Sequence, residues 1–72
     1  MNARDWLAAY AEKLGTRPLS TQEFKAILDL AAEAAHASGR VAAPAACWVA
    51  ARAGVELDEA LRIARELDDS GG

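Results

Sequence analysis

The chain has 72 residues, a formal net charge of −3 and one cysteine. This length suits a single domain with a small hydrophobic core. The basic side chains are scattered among carboxylates, which argues against binding to a nucleic-acid backbone. A lone cysteine excludes an internal disulfide, and the sequence shows neither a signal-peptide core nor an apolar run of membrane-spanning length. We therefore expect a cytoplasmic protein that binds neither nucleic acid nor a membrane.

The first half of the sequence predicts two helices. Asn2 is suited to cap a helix over residues 3–14. Ser20 and Glu23 have the spacing of a capping box, which predicts a second helix over residues 21–38. Each helix is followed by a glycine that can end it. The apolar residues expected to face inward are Trp6, Leu7, Tyr10 and Leu14 in the first helix and Phe24, Ile27, Leu28, Ala31, Ala34 and Ala35 in the second.

The second half predicts two more helices. Pro44 is suited to the first turn of a helix over about residues 44–53, because its missing N–H costs nothing there. Val55 can act as a hydrophobic staple ahead of a fourth helix over about residues 57–69. The residues expected to face inward are Ala45, Trp48 and Val49 in the third helix and Leu57, Ala60, Leu61, Ala64 and Leu67 in the fourth.

The fold class follows from these elements. No segment alternates between apolar and polar residues as a strand would. Because every connection is short, we predict an all-α fold, a compact four-helix bundle that forms a single domain over residues 1–69. Residues 70–72 are expected to form a disordered tail.

The middle of the chain carries a distinctive motif. Residues 28–54 read LDLAAEAAHASGRVAAPAACWVAARAG and follow a tryptophan-bearing helix, DWLAAYAEKLG. The motif consists of a Leu-Asp-Leu-Ala helix that ends in Ala-His, then an arginine, an Ala-Pro pair, an aromatic residue and a closing Ala-Gly. It resembles the central motif of a small bacterial domain family of unknown function, whose members occur alone or joined to the molybdenum-cofactor guanylyltransferase. Val41 and Ala45 stand where the family pattern has a proline and a leucine.

The resemblance implies a helical accessory domain without catalytic activity or cofactor. The glycine-rich nucleotide loop of the guanylyltransferase is absent from this sequence. We therefore expect a protein-interaction module linked to molybdenum-cofactor biosynthesis, with a guanylyltransferase or a molybdoenzyme as its protein partner. The sequence also allows a homo-oligomer, since an alanine-rich helix face can pair with a copy of itself.

One corner of the predicted bundle is a candidate binding site. His36 lies near the end of the second helix, Arg40 follows it, and Ala43 and Pro44 lie at the start of the third. Backbone amides at a helix start, together with an imidazole and a guanidinium, could bind a small anion or a nucleotide, or could contact the protein partner. The alternative is structural: His36 caps the carbonyls of its own helix and Arg40 ties the connection.

The aromatic residues Trp6, Tyr10 and Trp48 also have two interpretations. They could anchor a protein partner, since aromatic side chains dominate interface hot spots. They could equally supply the bulk of an alanine-rich core.

The sequence offers little for catalysis or metal binding. No nucleophile or second acid stands beside His36, so we expect no enzyme. Cys47 is expected to be an inert packed thiol, the alternative being a redox thiol near a helix N-terminus. His36 and Cys47 would provide two metal ligands where zinc sites use three or four, so we expect no metal site.

Overall fold

The computed structural model describes the backbone of residues 1–71 and the side chains of residues 1–67. Over this range the chain forms four helices and no strand. The helices are α1 (Ala3–Leu14), α2 (Thr21–Ala37), α3 (Ala42–Ala53) and α4 (Leu57–Gly71). The predicted all-α four-helix fold is confirmed.

Local capping sets the first helix boundaries, as predicted. The side chain of Asn2 accepts a hydrogen bond from the Asp5 amide at 2.8 Å. Gly15 ends α1 with a left-handed φ of 78°, a conformation that glycine adopts without steric cost. The Ser20 hydroxyl accepts from the Glu23 amide at 3.0 Å, while the Glu23 carboxylate accepts from the Ser20 amide at 2.9 Å. These reciprocal bonds form the capping box that begins α2.

The connection between α2 and α3 differs from the prediction. α2 ends at Ala37, where the Ser38 hydroxyl donates to the Ala34 carbonyl at 3.1 Å. Gly39 does not adopt the left-handed conformation expected of a helix-ending glycine. Both the amide and the hydroxyl of Ser38 donate to the Ala34 carbonyl, so the last turn of α2 closes at Ser38, before Gly39.

α3 begins two residues earlier than the predicted residue 44. The amides of Ala42 and Ala43 donate to the carbonyls of Gly39 and Arg40 at 2.9 and 3.2 Å, so the turn runs directly into the helix. Pro44 still lies in the first turn, as predicted. α4 ends at Gly71 instead of residue 69, and Gly72, the end of the predicted tail, lies outside the described residues.

α2 is the centre of the bundle, because both α3 and α4 pack against it. Leu30 of α2 and Ala60 of α4 are the most buried apolar residues described, at 3% and 8% exposure. The Arg65 guanidinium of α4 lies 3.5 Å from the Glu33 carboxylate of α2. Because α3 and α4 cover α2 on two sides, its buried face differs from the predicted one. Leu30 is buried, whereas Leu28, which was expected to face inward, is exposed. The prediction for Leu28 is therefore wrong.

α3 presents small residues to the rest of the bundle. Its half-buried residues are Ala42, Ala43, Ala46, Cys47 and Ala50. Ala45, Trp48 and Val49, the residues predicted to face inward, are exposed, and that prediction is wrong. Small side chains permit two helix axes to approach closely, which leaves the bulky residues of α3 on the outside.

α4 follows its predicted pattern over most of its length. Ala60 is buried, and Leu57, Leu61 and Ala64 are half-buried. Leu67, in contrast, is 71% exposed and does not face inward.

α1 is attached to the bundle mainly at the start of α2. It contains no buried residue, and Trp6, Tyr10 and Leu14 are exposed, contrary to the expected inward face. The Arg4 guanidinium donates to the Thr21 hydroxyl at 3.3 Å and lies 5.0 Å above the centre of the Phe24 ring. Arg4 thus forms a hydrogen bond and a cation–π contact with α2, and Leu7, which was predicted to face inward, is half-buried.

Candidate functional site

The structure places the predicted corner at the surface, between α2 and α3. His36 lies in the last turn of α2, and Arg40 lies in the connection that follows. His36, Arg40 and Pro44 are exposed, and Ala43 is half-buried. Within the described part of the chain, neither the His36 nor the Arg40 side chain forms a hydrogen bond or an ion pair. At the end of α2 it is the Ser38 hydroxyl that donates to a carbonyl of the last turn, that of Ala34.

The expected backbone amides are not free at this corner. Those of Ala42 and Ala43 already donate to Gly39 and Arg40, and Pro44 has no N–H to offer. The first three residues of α3 thus provide no amide to an anion. An anion-binding role would therefore rest on the exposed side chains of His36 and Arg40 and not on the first amides of α3.

The candidate aromatic residues are exposed and lie in two places. Trp6 and Tyr10 stack on α1 with ring centroids 5.0 Å apart and an interplanar angle of 26°. Their exposed fractions are 53% and 49%, and that of Trp48 on α3 is 69%. The alternative that these rings form the core is therefore wrong. The structure brings Trp6 and Tyr10 together, and Trp48 has no ring contact with them among the described residues.

Cys47 has the environment of a packed thiol. It is half-buried, and its Sγ lies 4.0 Å from the Ile27 carbonyl of α2. Burial raises the pKa of the Cys47 thiol above its ordinary value, which lowers the thiolate fraction available for reaction. The position supports the packed interpretation over the redox one.

An apolar groove of about 350 Å³, which the sequence reasoning missed, lies among α2, α3 and α4. Its buried and half-buried lining consists of Leu30, Ala46, Ala50, Ala60 and Ala64. Its exposed lining consists of Val49, Ala53, Val55 and Ile63. The alanines of α3 and α4 that line the groove recur at helical spacing. This pattern of small residues on one face is the sequence feature that could have indicated a shallow groove.

Two further findings concern the described residues. They contain no cluster of three or more His, Cys, Asp or Glu side chains placed to hold a metal ion. None of the helices combines the length and the apolar character needed to cross a membrane.

The comparison with protein families, unlike those with curated proteins and solved structures, gives a match. No curated protein and no solved structure matches the chain. Residues 1–69 match DUF6457, described as a domain of unknown function. The chain therefore belongs to the DUF6457 family. This match and the four helices confirm one part of the sequence resemblance, namely an all-helical domain of unknown function.

Proposed function

We propose that this chain is a non-catalytic protein-interaction module, and that its partner binds the aromatic face of α1. One observation carries the proposal: Trp6 and Tyr10 stack on each other while about half of each side chain is exposed, on a helix that buries no residue. Large rings gain the most free energy when a partner removes them from water. Stacking also orients the two rings before binding, which lowers the entropy lost on association.

The corner between α2 and α3 is the second contact region in this proposal. His36 and Arg40 are exposed and have no hydrogen bond or ion pair within the described residues. A guanidinium without a partner among the described residues can form a bidentate pair with a carboxylate of another protein. Ala43 and Pro44 add a small apolar surface beside it.

The partner class rests on the sequence resemblance alone. That resemblance favours a cytoplasmic molybdenum-cofactor guanylyltransferase or a molybdoenzyme. In this role the chain binds its partner and carries out no reaction of its own, so it needs neither a cofactor nor a metal.

The test measures binding of the purified guanylyltransferase to the immobilised chain. We expect Trp6→Ala combined with Tyr10→Ala to weaken binding at least about tenfold, the usual effect of removing a hot spot. Arg40→Ala should weaken it less, because rim charges contribute less than desolvated aromatic anchors. Leu28→Ala is the matched control, since Leu28 is 53% exposed, like Trp6, but lies on α2.

Circular dichroism of each variant shows whether its helices are intact. If the aromatic double variant is folded and binds the guanylyltransferase as tightly as the parent, the aromatic face is not the interface. If the parent itself does not bind, the proposed partner class is wrong.

A second candidate function is binding of a small anion or nucleotide at the same corner. The exposed side chains of His36 and Arg40, which have no partner within the described residues, favour it, while the occupied amides of Ala42 and Ala43 weigh against it. It predicts phosphate-induced shifts in the amide spectrum that fall with added salt and vanish in both His36→Ala and Arg40→Ala. A spectrum that phosphate leaves unchanged would dismiss this function.

A further inference from the structure

The outer face of α3 is exposed and mostly apolar, whereas the opposite face of the same helix consists of half-buried small residues. The residues of this outer face recur at helical spacing and are all exposed: Val41, Pro44, Ala45, Trp48 and Arg52. The exposed fractions of Val41 and Trp48 are 84% and 69%. Exposed apolar residues that cluster on one face mark interaction sites in proteins. We infer that the outer face of α3 binds an acidic amphipathic helix of a partner protein.

The polar side chains along this face are hydrogen-bond donors. Arg40 lies just ahead of α3, and Arg52 lies in its last turn. The indole N–H of Trp48 can donate but cannot accept. Within the described residues, none of these three side chains forms a hydrogen bond or an ion pair. A group that covers the face must therefore supply acceptors, and carboxylates are the acceptors that match guanidinium groups best.

The part of the chain around this face is locally basic. All 11 acidic residues lie outside residues 34–55, a segment that contains two arginines and the histidine. In the preceding turns of α2, Asp29 already pairs with Lys25 at 2.8 Å. Glu33 likewise lies 3.5 Å from the Arg65 guanidinium of α4. Charge complementarity thus favours an acidic ligand at the outer face of α3, although the whole chain has a net charge of −3.

A short acidic helix fits this face better than an extended polyanion does. The net charge of −3 repels a nucleic acid or an anionic membrane, and two arginines offer few contacts to either. α3 has 12 residues and is about 18 Å long. A partner helix of similar length can place an apolar residue against Trp48 and carboxylates near Arg40 and Arg52.

This inference rests on the proposed protein-interaction function and adds a second surface together with the chemistry of its ligand. It extends the corner at Arg40 and Pro44 along α3, and it does not involve Trp6 or Tyr10 of α1. The two surfaces can therefore be tested separately.

Calorimetric titration of the full chain with three synthetic helical peptides tests the inference. The peptides have the length of α3 and share a leucine-lined face, and they differ only in carrying glutamate, glutamine or lysine beside that face. We expect the glutamate peptide to bind at least about tenfold more tightly than the lysine peptide. Its affinity should fall with added salt, because the arginines that it pairs with are exposed.

Variants of the chain locate the bound peptide. Trp48→Ala should weaken binding of the glutamate peptide at least about tenfold. Arg40→Ala combined with Arg52→Ala should weaken it and remove most of its salt dependence. Lys13→Ala is the matched control, since Lys13 is also a cation in the last turn of its helix, and it should bind as the parent does.

Each outcome decides the inference. A glutamate peptide that does not bind, or that binds no more tightly than the lysine peptide, overturns it. Unchanged binding by a folded Trp48→Ala overturns it as well. If Trp48→Ala loses its helical circular dichroism, the arginine double variant decides in its place. Loss of peptide binding in Trp6→Ala combined with Tyr10→Ala would place the peptide on α1 and would equally overturn the inference.

Three parallel measurements test other occupants of the outer face of α3. They use phosphatidylserine vesicles, an oligothymidylate and sedimentation equilibrium of the chain alone. Binding or self-association that Trp48→Ala abolishes, in a chain that ignores the glutamate peptide, would assign the face to a membrane, a nucleic acid or a second copy. A guanylyltransferase that fails to bind contradicts the proposed partner class, but it does not alter the peptide titration, so the two failures are distinguishable.

Discussion

α1 and α4 are both attached to α2, but by different physical means. α4 buries Ala60, half-buries three further apolar residues and lies within ion-pair distance of Glu33 through Arg65. α1 has no fully buried residue; it half-buries Leu7, Ala8 and Ala11, and its Arg4 contacts Thr21 and Phe24 of α2. The difference is that α4 adds a buried residue to the centre of the bundle, whereas α1 contributes only half-buried and polar contacts.

This contrast has a functional side. A helix that buries its apolar face cannot offer that face to a partner, whereas α1 keeps its stacked rings exposed. Elements with few buried contacts are also the first to open locally. The proposed partner-binding face therefore lies on the part of the molecule that contributes least to its core.

The largest expected effect comes from Leu30, at the centre of the packed region. Leu30→Ala removes a side chain that is 3% exposed and should lower the free energy of unfolding by about 2–5 kcal/mol. For a domain of this size that loss can unfold the whole chain. Leu14→Ala, on α1 at 63% exposure, should stay within about 0.5 kcal/mol of the parent. Urea unfolding followed by circular dichroism compares the two variants, and equal losses would refute the division between α1 and the packed region.

The next largest effect tests which face of α3 packs inward. Ala43→Leu adds bulk at a half-buried position and should cost about 1–3 kcal/mol through overpacking. Ala45→Leu makes the same change at an exposed position on the other side of Pro44 and should stay within about 0.5 kcal/mol of the parent. The same urea titration measures both variants. A larger loss of stability for Ala45→Leu than for Ala43→Leu would support the buried face that was predicted from sequence.

The helix boundaries were largely predictable because they depend on neighbouring residues. Asn2, Ser20 and Glu23 act over three positions along the chain, so their caps can be recognised without tertiary information. The buried faces of α2 and α3 were less predictable. Helical periodicity assigns the largest residues to the core, whereas close packing of α3 selects its smallest ones, such as Ala46.

The candidate site was likewise predictable only in part. Sequence spacing correctly placed His36 at the end of α2 and Arg40 in the connection. It could not show that the amides of Ala42 and Ala43 are already bonded, because this depends on how the connection turns. The groove could not be predicted, because it depends on how three helices are placed relative to one another. No local sequence pattern contains that information.

A moderate effect is expected at the capping box that begins α2, directly after the connection from α1. Ser20→Ala removes the hydroxyl that accepts from the Glu23 amide and should cost about 1 kcal/mol. The midpoint of thermal unfolding should fall by about 4–8 °C. Thr16→Ala is the control, because it deletes a hydroxyl from the same connection that forms no side-chain bond with any described residue. If both variants melt at the same temperature, capping contributes nothing measurable to the start of α2.

The smallest effect is the pH dependence of the same connection. Arg17 donates two hydrogen bonds to the Glu23 carboxylate, at 3.0 and 2.9 Å. Together with the bond from the Ser20 amide, they lower the pKa of Glu23 from 4.5 to about 2. A carboxyl group whose pKa is lower in the folded state binds its proton more readily when unfolded. Its contribution to stability is therefore complete above pH 4.5 and is lost as the pH falls towards 2.

Glu23→Gln isolates that contribution from the other carboxylates. Glutamine can still accept from the Ser20 amide in the capping box, but it carries no charge for Arg17. At neutral pH the variant should melt slightly below the parent, by an amount that salt reduces because the pair is exposed. The two melting curves should converge as the pH falls towards 2, since the parent then loses the same ion pair. Glu59→Gln supplies the comparison within α4, where Arg62 lowers the pKa of Glu59. A melting difference between parent and Glu23→Gln that is constant with pH would show that the Arg17–Glu23 ion pair does not contribute to stability.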